Sequence, residues 1–177
     1  HGTLPKVVVP VHLAGSSCNM EAICALAKRY GFSVLEDASH AIGGSYKDQP
    51  VGNCLHSAIT VFSFHPVKII TTGEGGLAVT NSPKLAQRMV DLRSHGITKE
   101  KARFEQLAAG PWSYEQQGLG FNYRLTDLQA ALGLSQLERL ETIIAERQRL
   151  LEEYRQLLAP LPLVYWRFQL MYFRRFT

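Results

Sequence analysis

Cysteine is scarce in this chain, with three in 177 residues, and the spacing of Cys18, Cys24 and Cys54 is irregular. That excludes a disulfide-stapled scaffold and predicts ordinary buried or reduced thiols in a cytoplasmic protein. Metal-ligand spacing such as His-Glu-x-x-His is also missing, so no metal is expected. No apolar run approaches the roughly 20 residues that cross a bilayer. The first residues, His1 to Pro5, lack the charged-then-apolar pattern of a signal peptide, and no membrane partner is expected. A large excess of one charge is lacking too, since 19 Lys and Arg face 15 Asp and Glu for a net +4. Much of that excess lies near the C-terminus, where Arg167, Arg174 and Arg175 stand among Tyr165, Trp166, Phe168, Tyr172, Phe173 and Phe176. Basic residues interleaved with aromatics serve nucleic-acid binders. This run is short, terminal and isolated, which argues against a nucleic-acid partner. What remains is 46% apolar and 19% charged, the composition of a globular protein with enough chain for one core.

The first half alternates strand and helix signals. Val7-Val8-Val9-Pro10-Val11 suits a buried parallel strand. A helix is predicted over about Met20 to Tyr30, with Asn19 as cap, Lys28 and Arg29 matching its C-terminal dipole, and Gly31 as its close. Further strands are predicted at Phe32 to Glu36, Ala58 to Phe62 and Gly76 to Thr80. Ser82 followed by Pro83 marks a second helix start, running to about Leu92. Residues 96–120 show no period and read as a long loop. Thr126 and Gln129 are a candidate capping box. One long helix is predicted from there to about Leu158, with apolar Leu137, Leu140, Ile144, Leu151, Tyr154 and Leu158 at three-and-four spacing, stopped by Pro160 and Pro162. Strand-helix-strand order predicts an α/β fold with a mostly parallel sheet flanked by helices. Such sheets place their chemistry at the carboxyl ends of the strands.

Three polar segments fall at such ends. They are Glu36-Asp37-Ala38-Ser39-His40, Ser63-Phe64-His65-Pro66-Val67-Lys68, and Thr71-Thr72-Gly73-Glu74-Gly75-Gly76. Each has an ordinary reading by itself: a turn or cap aspartate, a solvated lysine, a glycine turn before a strand. His12 and His56 read as polar core or surface residues. Read together, the segments resemble the signatures of the DegT/DnrJ/EryC1/StrS sugar-nucleotide aminotransferase family, pyridoxal-phosphate (PLP) enzymes of fold type I. Gly120-Phe121-Asn122-Tyr123-Arg124 and Val9-Pro10-Val11-His12-Leu13-Ala14-Gly15 resemble further family motifs, and the likeness runs over about residues 5–158. Within the family, the wording is most similar to transaminases that make 4-amino sugars on UDP for pseudaminic acid or surface polysaccharide.

The resemblance implies the roles. Lys68 would hold the cofactor covalently through its aldehyde and carry the proton as general base, then acid. Asp37 would pair with the pyridine nitrogen and keep the ring an electron sink. His40 would stand beside the phenolic oxygen, Ser63 would bond the phosphate, and Asn122 would reach the phosphate in the neighbouring subunit, which implies a homodimer. His65, Arg93 and His95 are further candidates to border the site. Relatives that dehydrate sugars carry His in place of the lysine, so Lys68 favours transamination. A nucleotide-linked keto sugar is the implied substrate and glutamate the implied amino donor.

The resemblance also implies a division into a partial PLP-binding domain over 1–124, a long helix over 125–160 leading toward a small domain, and an anomalous tail over 161–177. Family members carry a hundred or more residues ahead of this segment, including a phosphate-binding turn at a helix N-terminus. The change of composition at the tail fits a frameshift or a truncated gene. On that expectation, activity in this chain is impaired, and the alternative is a non-catalytic remnant or a dimerising or regulatory domain of the same fold.

Overall fold

In the computed structural model, residues 2–163 are described. The aromatic and arginine-rich tail, with the expectations attached to it, lies outside the described residues from 164 on. Among the described residues, no helix is long and apolar enough to cross a membrane.

The chain forms two compact units, one built from residues up to Asn81 together with those from Asp127 onward, the other from Ser82–Thr126. The first unit holds β1 (Val7–Val8), α1 (Met20–Tyr30), β2 (Ser33–Asp37), a hairpin of β3 (Ser45–Tyr46) and β4 (Gln49–Pro50), then β5 (Ile59–Ser63) and β6 (Gly76–Val79). The second holds α2 (Pro83–Arg93), β7 (Ile97–Thr98) and β8 (Glu115–Gln116). The chain then returns to the first unit as α3 (Asp127–Leu137) and α4 (Leu140–Leu158).

The main sheet has the order β1-β2-β5-β6. β1, β2 and β5 are parallel, with Leu35 opposite Ile59 and Asp37 opposite Val61. β6 returns antiparallel to β5, with Ser63 opposite Gly76. The α/β reading therefore holds, with a mixed, mostly parallel sheet. Helix α1 begins as its sequence predicts: Asn19 Oδ1 accepts the Ala22 N–H at 3.2 Å, and Gly31 closes the helix in left-handed backbone. Its buried Met20 and Ala27 pack on Val34. A second cluster joins Ala38, Ala41 and Phe62.

Three expectations need correction. The valine run at 7–11 pairs in parallel but is not buried: Val7, Val9 and Val11 are each about half exposed (51%, 51% and 46%). Side chains alternate along the run, so Val7, Val9 and Val11 share an uncovered face while Pro10 and His12 turn to the covered one. Residues 96–120 are not structureless, because β7 and β8 pair antiparallel inside them. Both strands are two residues long, too short for a period-two signal. The long helix is two helices. The backbone tightens at Glu138–Arg139, where the Arg139 N–H bonds the Gln136 carbonyl at 3.1 Å. No Gly or Pro marks that step; docking points on either side account for it. A Cβ on Gly133 of α3 would stand 2.8 Å from Thr72 Cγ2, and Leu140 and Ile144 of α4 lie against Gly43. One straight rod is replaced by two segments that follow the surface beneath them.

In the second unit, Ser82 Oγ caps α2 by accepting the Leu85 N–H at 3.4 Å. The Gly120–Arg124 motif runs beside the end of α2. Phe121 N–H bonds Leu92 O at 2.6 Å, His95 N–H bonds Phe121 O at 2.9 Å, and Tyr123 N–H bonds Arg93 O at 3.0 Å. Gly120 is required by this approach, since a Cβ there would lie 2.3 Å from the Gly96 nitrogen.

Candidate active site

β2 and β5 end side by side, and the polar segments leave the sheet there. Asp37 is the last residue of β2. Its backbone is held on both sides: its N–H donates to Pro10 O at 2.9 Å, its carbonyl accepts the His12 N–H at 2.9 Å, and Ala38 N–H donates to Val61 O at 2.8 Å. Its side chain accepts the Ser39 N–H on Oδ1 at 3.0 Å. The bond from Ser39, helped by the positive charge of Lys68, outweighs partial burial and holds the Asp37 carboxyl below the usual aspartate value. Asp37 is thus a carboxylate at neutral pH.

His40 follows in the next turn. Its Nδ1 accepts the Ala14 N–H at 3.2 Å. A ring nitrogen that accepts carries no proton, so the neutral imidazole bears its hydrogen on Nε2 and is a donor there.

Lys68 sits in the loop between β5 and β6. The loop is tied at both ends: Phe64 N–H bonds Gly75 O at 2.9 Å, and Phe64 O receives the Thr72 N–H at 3.0 Å and the Thr71 hydroxyl at 2.9 Å. Thr72 Oγ1 donates to Glu74 O at 2.7 Å, and Gln129 Nε2 of α3 donates to the same carbonyl at 2.9 Å. Buried Ile70 and Thr72 anchor the loop from below. The glycine-rich turn and the lysine are therefore parts of one tied loop. Ser63, at the end of β5, accepts the His65 N–H on its hydroxyl at 3.4 Å.

Lys68, His40 and Ser39 line one cleft of about 500 Å³, closed on its other side by α4 through Ile144, Arg147 and Leu151. The first unit thus brings Asp37, His40, Ser63 and Lys68 to one end of the sheet. Asn122 belongs to the second unit, where it is exposed and forms an isolated antiparallel bridge with Ser94. Arg93 and His95 belong to that unit as well, while His65, in the lysine loop, is exposed.

Two features escaped the sequence reading. Ser39 orients Asp37, and the Asp-x-Ser spacing of an Asx turn was the signal for it. His12, left open between core and surface, is fully buried and bonds the buried Glu36 through Nε2 at 2.8 Å. A histidine directly after a valine run and a glutamate inside an apolar strand were the available clue.

A family model, the DegT/DnrJ/EryC1/StrS aminotransferase family, matches residues 2–170. The chain belongs to this family. The family's enzymes depend on PLP, and the described sheet and helices are part of a fold-type-I large domain. Helicobacter pylori PseC, an aminotransferase involved in the biosynthesis of pseudaminic acid, is 36% identical with a TM-score of 0.78, over 87% of this chain and 38% of that one. The putative sugar aminotransferase Spr1654 from Streptococcus pneumoniae, in its PMP form, is 30% identical with a TM-score of 0.75, over 87% of this chain and 43% of that one. DesV from S. venezuelae is 33% identical with a TM-score of 0.74, over 89% of this chain and 38% of that one. The chain spans about two fifths of the length of these relatives.

Proposed function

We propose that the protein carries the cofactor centre of a PLP-dependent aminotransferase that aminates a keto group on a nucleotide-linked sugar. Glutamate is the amino donor, and the product is an amino sugar for a surface polysaccharide, lipopolysaccharide or related glycan. The protein works as a cytoplasmic homodimer. The observation that carries this reading is the convergence of an ionised Asp37, an Nε2–H donor on His40 and the amine of Lys68 at the carboxyl end of one sheet.

The residues present fit the group. A pyridine nitrogen needs a carboxylate held ionised, which the Ser39 bond chiefly supplies at Asp37. A phenolate oxygen needs a donor, which His40 offers through Nε2. The cleft beside Lys68 is of a size usual for small-ligand sites. When bound, PLP supplies a protonated ring that takes up the electron pair left as the substrate carbon loses its proton.

The chain's own residues do the rest. Asp37 would pair with the ring nitrogen. Lys68 would hold the cofactor covalently and would serve as the general base, then acid, for the proton of the substrate carbon. His40 donates to the phenolic oxygen and orients the ring. Ser63 donates its hydroxyl to the phosphate. Asn122 completes the phosphate site of a neighbouring subunit, which makes the dimer the active form. The wording of the motifs and the likeness to PseC and to the putative sugar aminotransferase Spr1654 support a sugar substrate, and the presence of Lys68 supports transamination over dehydration.

Visible absorbance tests the reading. PLP added to the purified protein is expected to give a band that Lys68→Ala abolishes, bleaches with glutamate and returns with a keto sugar nucleotide. A folded wild-type protein with no Lys68-dependent band would overturn it.

A further inference from the structure

His12 has no part in the roles assigned above, yet its ring has no exposed surface. Its Nδ1 accepts the Cys18 N–H at 3.2 Å, so the ring is neutral with its hydrogen on Nε2. That hydrogen goes to Glu36 Oε2 at 2.8 Å. The other Glu36 oxygen accepts from the Ser57 hydroxyl and, at 3.2 Å, from the Thr60 hydroxyl. Among the described residues, no buried side-chain nitrogen or oxygen lacks a partner. A fully satisfied buried network of this kind has one arrangement and is rigid.

Two paths lead from His12 to the cleft. Through the main chain, its N–H holds the Asp37 carbonyl at 2.9 Å. Through the ring, the bond to Cys18 closes the loop of residues 13–17 back onto its own start. In that loop Ala14 stands at φ 53°, ψ 24°, a left-handed conformation that a residue with a Cβ keeps only where its surroundings impose it. The Ala14 N–H, aimed by that conformation, is the one that His40 Nδ1 accepts.

We propose that His12 is a positioning residue: its neutral ring, clamped between Glu36 and the Cys18 amide, holds loop 13–17 in the shape whose Ala14 N–H makes His40 an Nε2–H donor in the cleft wall. The purpose of this arrangement rests on reading the cleft as a PLP site. The hydrogen-bond chain itself is measurable without any cofactor.

The test is nitrogen NMR of the imidazoles in ¹⁵N-labelled, cofactor-free protein, above the pH at which histidine loses its charge. His12 and His40 are each expected to show a single Nε2–H tautomer, with widely separated ring-nitrogen shifts. An Nδ1–H tautomer at either residue, or averaged shifts at His40, would overturn the proposal with no variant needed. Two substitutions then separate positioning from bulk stability. His12→Asn keeps an acceptor where Nδ1 stands, and the split at His40 is expected to persist. His12→Gln keeps a donor toward Glu36 but offers Cys18 no acceptor, and the His40 shifts are expected to converge. A merely structural His12 would lower the melting temperature in both variants and leave His40 unchanged; an unmoved His40 in folded His12→Gln sinks the proposal. Should that variant not fold, averaged His40 shifts in the wild type or in folded His12→Asn still overturn the proposal. Failure of the cofactor reading shows separately, as a missing Lys68-dependent band in a protein whose tautomers are as stated.

Discussion

At the scale of single residues, the site is a set of constrained polar atoms. Asp37 is where this matters most. The Ser39 bond, then the positive charge of Lys68, hold its carboxyl below the ordinary aspartate value. The proposed centre therefore needs no deprotonation of Asp37 in the physiological range, and an acid limb from this residue is absent from the pH–rate profile above about pH 5. Asp37→Asn is expected to leave the Lys68-dependent band in place and to slow turnover by about a hundredfold or more, the scale set by a positioned proton-transfer step. Absorbance and steady-state rates on the same sample check both halves. A variant that loses the band outright would instead assign Asp37 to cofactor attachment. The aspartate, histidine and lysine were legible because their segments resemble family signatures. Ser39 and His12 left only faint signals, since their bonds to Asp37 and Glu36 exist only once the backbone is folded.

At the scale of elements, local chemistry and packing divide the work. Helix α1 is set by its own caps, and Asn19 Oδ1 also accepts the Tyr46 hydroxyl at 3.1 Å. Asn19→Ala removes both bonds and is expected to cost about 1 kcal/mol or somewhat more, read by thermal or denaturant unfolding. Helix α4 is set by what lies beneath it. Gly43 has φ +77°, and a Cβ there would come within 2.5 Å of Ile144 Cδ1 and 3.2 Å of Leu140 Cδ2. Gly43→Ala is expected to cost about 1–3 kcal/mol through overpacking. Hydrogen exchange should then rise along residues 140–158 before it rises in β2. Equal protection in the variant and the wild type would show that α4 does not depend on this contact. The same contrast explains why the start of α1 was readable from sequence and the break between α3 and α4 was not.

At the scale of the molecule, acid is the revealing stress. Burial raises Glu36, and the bonds from His12, Ser57 and Thr60 more than offset it, so its carboxyl lies below the ordinary value. Asp91 in the second unit is lowered chiefly by Arg103, whose Nη1 and Nη2 reach its two oxygens at 3.0 and 2.5 Å. Each group has a folded value depressed below the unfolded one. Its contribution is complete above the unfolded value near pH 4 and disappears as pH falls through the folded value. Denaturant midpoints are therefore expected to hold steady from about pH 7 to 5 and to fall below about pH 4. Asp91→Asn should flatten that fall for residues 82–126, followed by hydrogen exchange, and leave it unchanged for β2 and β5. Loss of protection in both units together would instead mark a single cooperative transition.

The sequence by itself determined the α/β class, the helices with their own caps at Asn19 and Ser82, and the identity of Asp37, His40, Ser63, Lys68 and Asn122 as residues to watch. Those signals are local: a cap, a period, a motif of a few adjacent residues. Tertiary structure alone decided which strand is an edge, where the long helix divides, that β6 returns antiparallel, and that His12 and Glu36 meet in the interior. Each depends on atoms brought together from distant parts of the chain. A buried hydrogen bond or a steric stop acts over a few ångströms in space, and neither is written in any short window of sequence.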